Sequence, residues 1–145
     1  AYDPFVTDWP DMATRVTDLD AGLALADAVS LHLPRADRCI LGAAQLAAMK
    51  PGAVVVNTAR GGLIDEVALA AALQSHLGGA GIEVFDAEPP SPDHPLFGLE
   101  NAILTPHNAA LTVECAERMA LASVQNVLDF FAGRLDPSLI VNKVS

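Results

Sequence analysis

Three short segments of this chain put ionisable side chains where a reaction could use them. Asn57-Thr58-Ala59-Arg60-Gly61-Gly62 follows the apolar run Val54-Val55-Val56. Asp86-Ala87-Glu88-Pro89 follows Ile82-Glu83-Val84-Phe85, and Thr105-Pro106-His107 follows Ile103-Leu104. A guanidinium, a carboxylate and an imidazole that meet can hold an anionic substrate, move a proton and orient the group that moves it. Taken singly, each has a simpler reading. Arg60 suits a surface ion pair, Glu88 a solvated loop, and His107 a capping or hydrogen-bonding role. Their joint placement after three successive apolar runs favours a site.

The elements that must position them are legible as alternating strands and helices. Strands are expected over 28–33, 53–57, 80–85 and 102–105, with a short one near Arg15-Val16-Thr17 and a strand end at Tyr2. Pro34 and Pro106 stop two of them. Helices are expected from Gly42 to Met49, from a cap at Asp65 to about His76, and from Thr112 to Ala132, ended by Gly133. In the last of these, Met119, Val124, Val127, Leu128 and Phe131 fall at helical spacing. Cys39 and Cys115 are both expected in helices. Residues 89–95 form a proline-rich loop. Strands separated by helices imply βαβ units and a parallel sheet, with ligands beyond the carboxyl ends of the strands. Near-continuous apolar strands suit a sheet with helices on both faces.

Composition narrows the function classes. The chain has 145 residues, enough for one domain with a real core. Its net charge of −10, from 8 basic and 18 acidic residues with no basic stripe, argues against nucleic-acid binding. Hydrophobic residues make up 52%, much of it alanine, but no apolar run reaches the ~18 residues of a membrane span. No signal-peptide pattern opens the chain. The two cysteines have neither disulfide-framework nor metal-site spacing, so no metal is expected and a cytoplasmic location is.

The ordered segments 57–66, 79–89 and 105–107, with Leu31-His32-Leu33-Pro34 and Met49-Lys50-Pro51-Gly52-Ala53, resemble the D-isomer-specific 2-hydroxyacid dehydrogenases from Tyr2 to about Val141. The resemblance implies an oxidoreductase that transfers a hydride between NAD and C2 of a small D-2-hydroxy or 2-oxo acid. It implies that Arg60 grips the substrate carboxylate and carbonyl oxygen, its planar fork suiting a 2-oxo acid. His107 is implied as general acid/base, and Glu88 as the group that orients its ring and favours its protonated form. Cofactor contacts are implied for Asp3, Leu33, Pro34, Thr58, Ala59, Arg60, Glu83, His107 and Asn108. Asp3 would bond the adenosine ribose and repel a 2′-phosphate, favouring NAD over NADP. Glu83 stands where the family usually has Asp beside the nicotinamide carboxamide. Asn108-Ala109-Ala110 departs from the glycine often found after the first residue beyond the family's His.

The same resemblance implies a Rossmann-like, doubly wound parallel sheet that is incomplete in this sequence. No G-x-G-x-x-G occurs, so residues 1–145 are expected to be a partial NAD-binding domain. The first strand and the glycine fingerprint would lie before Ala1, and the substrate domain would be absent. The strand at Leu31 should then lack a neighbour on one edge, the Arg15 to Thr17 strand should lack one altogether, and the fragment alone should be inactive. A homodimer through this domain is expected. The formate dehydrogenases, similar to the family, carry Gln where Glu88 stands. An NAD-sensing, non-catalytic corepressor is the alternative from another class. The related C-terminal-binding-protein corepressors carry a Trp soon after the motif His, whereas here Leu111 occupies that region and the single Trp is Trp9.

Overall fold

The computed structural model describes residues 1–142 and divides the chain into two compact units, residues 1–108 and 109–145. The first unit is built on a parallel sheet of four strands in chain order: β1 (Ala28–Leu31), β2 (Val54–Asn57), β3 (Gly79–Ile82) and β4 (Ala102–Leu104). The connections carry three helices, α1 before β1 (Leu19–Leu25), α2 (Ala43–Ala48) and α3 (Glu66–Ser75). Helix α2 packs against both α1 and α3. This is the Rossmann-like fold read from the sequence, with β1 at one edge of the described sheet.

The register explains the core. Val29, Val55, Ala80 and Ala102 lie level across the four strands, and Leu31, Asn57, Ile82 and Leu104 lie two residues further on. A strand alternates faces at every residue, so these side chains share one face. Val55, Ala80, Ile82 and Leu31 are buried there, with Leu41, Leu46, Leu63, Leu69 and Leu96 packed into the same cluster. Val54 and Val56 point to the other face and are half-buried. Asn57 ends this buried row as one of two buried polar or charged residues among those described, the other being Glu83.

Caps fall where the residue types put them. The Asp65 carboxylate accepts from Ala68 N–H and opens α3. A bridge between Leu41 and Ile64, backed by Leu41 N–H donating to Leu63 O at 3.0 Å, fixes the segment leading into α3.

Several expectations are corrected. Helix α1 has no counterpart among the expected elements; it ends just before Asp27, after which β1 begins. Residues Arg15 to Thr17 form no strand. They do have a neighbour, since Val16 N–H donates to Ala1 O at 2.8 Å. Tyr2 likewise ends no strand, and Cys39 lies in a loop rather than a helix. Strand β3 stops at Ile82, three residues before its apolar run ends, which places Glu83, Val84 and Phe85 in the connection.

The second unit consists of α4 (Val113–Phe131) and a 3-10 turn at Pro137–Leu139. Thr112 caps α4 through Cys115 N–H, and Gly133 takes φ +68° just past its end, a conformation that glycine tolerates without penalty. Met119, Val124, Val127, Leu128 and Phe131 are exposed on this helix. Among the described residues no helix is long and apolar enough to cross a membrane, and no cluster of His, Cys, Asp and Glu is arranged to hold a metal ion.

Candidate active site

All four strands run the same way, so the segments that follow them emerge on one edge of the sheet. The turn after β2 is held by Asn57. Its side-chain oxygen accepts from Ala59 N–H at 3.0 Å, and its Nδ2 donates to Arg60 O at 2.9 Å. A buried amide that bonds both ways across its own turn fixes that turn's shape. Next in the chain, Gly61 passes against the segment after β3. A Cβ built on Gly61 would lie 1.9 Å from Phe85 O, so no larger residue fits without moving the backbone. That close approach brings the Arg60 turn alongside the Glu88 turn.

Glu88 and His107 meet directly. His107 Nδ1 lies 2.9 Å from Glu88 Oε2, while Glu88 Oε1 accepts from Phe85 N–H at 3.0 Å. The hydrogen bond from His107, then that from Phe85 N–H, hold the Glu88 carboxyl below the usual carboxylate range, and the positive charge of Arg60 adds to the effect. Both side chains remain open to solvent, 51% exposed for His107 and 40% for Glu88. His107 has φ +53°, in the left-handed region that a residue with a Cβ rarely adopts. Its N–H donates to Glu83 O at 3.1 Å, which holds it there. A conformation of this kind costs on the order of 1–3 kcal/mol and is typical of functional positions.

A cleft of about 450 Å³ opens beside this pair, lined by Glu83, Phe85, Pro90, Phe97, Leu104 and Thr105 as well as Glu88 and His107. Glu83, 4% exposed, accepts a hydrogen bond from the Thr105 hydroxyl. The cleft is therefore an apolar recess with a buried carboxylate in its wall and a carboxylate–imidazole pair at its side.

The other residues singled out from the sequence take distinct places. Arg60 follows β2 on the same edge, its Nη1 donating to Ala59 O at 2.6 Å. Thr58, Pro34 and Asn108 are exposed, whereas Leu33 and Ala59 pack against the core cluster. Asp3 Oδ1 accepts from Phe5 N–H at 2.8 Å and Val6 N–H at 3.2 Å, shaping its own turn. Asn57 and Gly61, part of the motif after β2 in the sequence, are the residues that order the site. The Asn-x-x-Arg-Gly spacing was the signal available.

A parallel α/β unit with a carboxylate–imidazole pair at the carboxyl edge of its sheet has the form of a dinucleotide-binding domain. Residues 1–109 match the D-isomer specific 2-hydroxyacid dehydrogenase family in its NAD binding domain. The chain belongs to that family, whose cofactor is NAD. It is 46% identical over 134 residues to an (S)-sulfolactate dehydrogenase of Chromohalobacter salexigens, covering 88% of this chain and 43% of that protein. Among solved structures it is similar to the TT0316 protein of Thermus thermophilus (TM-score 0.84, 44% identity, 90% of this chain and 42% of that one). It is also similar to a D-lactate dehydrogenase with NAD+ from Lactobacillus jensenii (TM-score 0.82, 28% identity, 98% and 47%). The chain thus spans less than half the length of each of these proteins.

Proposed function

We propose that this chain is the carboxyl-terminal part of the NAD-binding domain of a dehydrogenase acting on a small D-2-hydroxy or 2-oxo acid. The observation that carries the reading is the 2.9 Å contact between Glu88 and His107 beside an apolar cleft at the carboxyl edge of the sheet. The residues present fit the nicotinamide end of NAD. Apolar walls suit a flat ring, and a carboxylate such as that of Glu83 accepts from a carboxamide N–H. Asp3 would serve the ribose end, and the segments at Leu33-Pro34, Thr58-Ala59-Arg60 and His107-Asn108 would line the length between.

When bound, NAD supplies or accepts the hydride. The chain's own residues do the rest. Arg60 donates two parallel hydrogen bonds to the substrate carboxylate and carbonyl oxygen. His107 gives its proton to the carbonyl oxygen during reduction, and takes one from the hydroxyl during oxidation. Glu88, ionised at neutral pH, keeps Nδ1 of that ring engaged, so Nε2 faces the reacting oxygen. The reading also includes a substrate domain elsewhere in the full-length protein, a homodimer formed through this domain, and a cytoplasmic setting in which Cys39 and Cys115 stay reduced. The test is kinetic. Replacing Arg60, Glu88 and His107 singly in the full-length protein should each lower NADH-dependent reduction of a panel of 2-oxo acids. The reading fails if none of the three does.

A further inference from the structure

A second carboxylate–histidine pair, Glu66 with His94, takes no part in the chemistry above. Glu66, the first residue of α3, places Oε2 at 2.9 Å from His94 Nε2. Its other oxygen, Oε1, accepts from Asp86 N–H at 3.0 Å. Both side chains are largely buried, 15% exposed for Glu66 and 10% for His94. His94 Nδ1 accepts from Leu96 N–H at 3.3 Å, which leaves Nε2 as the donor to Glu66. Phe85 meets the His94 ring edge-on with centroids 5.3 Å apart, and Phe97 lies 5.4 Å from it. Cys39, Asp65 and Asp86 line the same recess, and neither Glu66 nor His94 borders the cleft beside His107.

The two pairs converge on one stretch of backbone. Phe85 N–H is held by Glu88, and the next amide, Asp86 N–H, is held by Glu66. The carbonyl of Phe85 is fixed by the approach of Gly61. No strand or helix covers residues 83–101, so the direction in which Glu88 leaves the backbone depends on these tethers. We propose that Glu66 and His94 form a buried positioning pair that aims Glu88 at His107. This rests on the dehydrogenase reading of the site. Glu66 bridges helix α3 to the turn, and His94 locks the Glu66 carboxylate in the rotamer that reaches Asp86 N–H. Losing either lets the turn shift, and displacement of a catalytic group by about 1 Å can cost on the order of a hundredfold in rate.

The test uses the full-length protein with Glu66→Ala, His94→Ala, His94→Gln and Glu88→Gln, and the Glu66→Ala/Glu88→Gln double variant. Glu66→Ala should lower kcat about tenfold to a hundredfold while NADH affinity, read by fluorescence titration, stays within about twofold. The pH profile of kcat should move as it does in Glu88→Gln, and adding Glu66→Ala to Glu88→Gln should cost little more than Glu88→Gln alone. His94→Gln, whose amide still donates to Glu66, should restore most of what His94→Ala loses. The ¹⁵N resonances of the His107 ring should shift in Glu66→Ala as in Glu88→Gln. Should Glu66→Ala not fold, the two His94 variants carry the same comparison. Lower melting temperature with an unmoved pH profile and unmoved His107 resonances would overturn the proposal, as would fully multiplicative losses in the double variant. Undiminished turnover in His107→Gln would instead sink the dehydrogenase reading, while the His107 resonances of Glu66→Ala, which keeps that ring, would still report on the tether.

Discussion

Glu88–His107 and Glu66–His94 are the same two residue types at the same 2.9 Å separation, in one small region of the protein. They differ in exposure. The first pair is about half open to solvent and faces a cleft. The second is nearly enclosed, with the ring packed against both Phe85 and Phe97 and both ring nitrogens engaged. A histidine that shuttles protons needs one nitrogen open to a reacting atom. A histidine that holds a fold needs both occupied, because a buried ring nitrogen without a partner is costly. The difference teaches that residue type and distance define an acid/base pair, and that access decides whether it reacts or braces.

The strongest way to break this contrast is at His107. His107→Gln should lower turnover on the order of a hundredfold to ten-thousandfold, the range for loss of a general acid/base, with little change in melting temperature. Comparable losses at His94 with NADH affinity also destroyed would erase the distinction between the two rings.

Gly61→Ala ranks next, and it acts on both pairs through the backbone they share. Its Cβ would meet Phe85 O and Asp86 N, so the two turns must separate. Overpacking of this kind costs about 1–3 kcal/mol or more, measurable as a lower urea midpoint at unchanged slope. Activity should fall further than stability. Arg60→Lys should chiefly raise KM for the 2-oxo acid, on the order of tenfold, because an ammonium cannot form the two parallel bonds of a guanidinium. An unaltered KM would remove Arg60 from substrate binding.

The smallest effect sharpens the electrostatic side of the comparison. The Glu88 carboxyl is held below its ordinary value of 4.5 by His107 and by Phe85 N–H. A carboxyl whose folded-state pKa is depressed contributes stability above its unfolded pKa and loses it as pH falls through the lowered folded value. Glu88→Gln should therefore lower the melting temperature slightly at neutral pH, and the difference from the parent should shrink as pH falls below 4.5, so that the variant's acid limb is flatter. An acid limb identical to the parent's would mean that the contact with His107 adds nothing to stability in solution.

Much of this molecule could be read in advance where the cause is local. The strand cores at 28–31, 54–57 and 102–104 follow from short apolar runs bounded by turn residues. The starts of α3 and α4 follow from Asp65 and Thr112, whose side chains accept from amides three residues on. Helix α1 escaped because it is only seven residues long and apolar residues resume in β1 directly after Asp27. The apolar run through Phe85 outlasts β3 because Val84 and Phe85 are buried in the connection, not paired in the sheet. His94 gave no sign in a proline-rich stretch that reads as loop.

What the sequence alone determined was an inventory and an edge. Parallel strands deliver whatever follows them to the same side, so Arg60, Glu88 and His107 had to emerge there together. Which of them touch was a matter for the tertiary structure. Glu88 and His107 are 19 residues apart in the chain, and Glu66 and His94 are 28 apart. Contacts over such separations are set by the register of β3 against β4 and by the passage of Gly61 against Phe85, not by any short-range preference of the chain. The left-handed backbone of His107 belongs to the same level, since only surroundings that hold its N–H on Glu83 O make that conformation worth keeping.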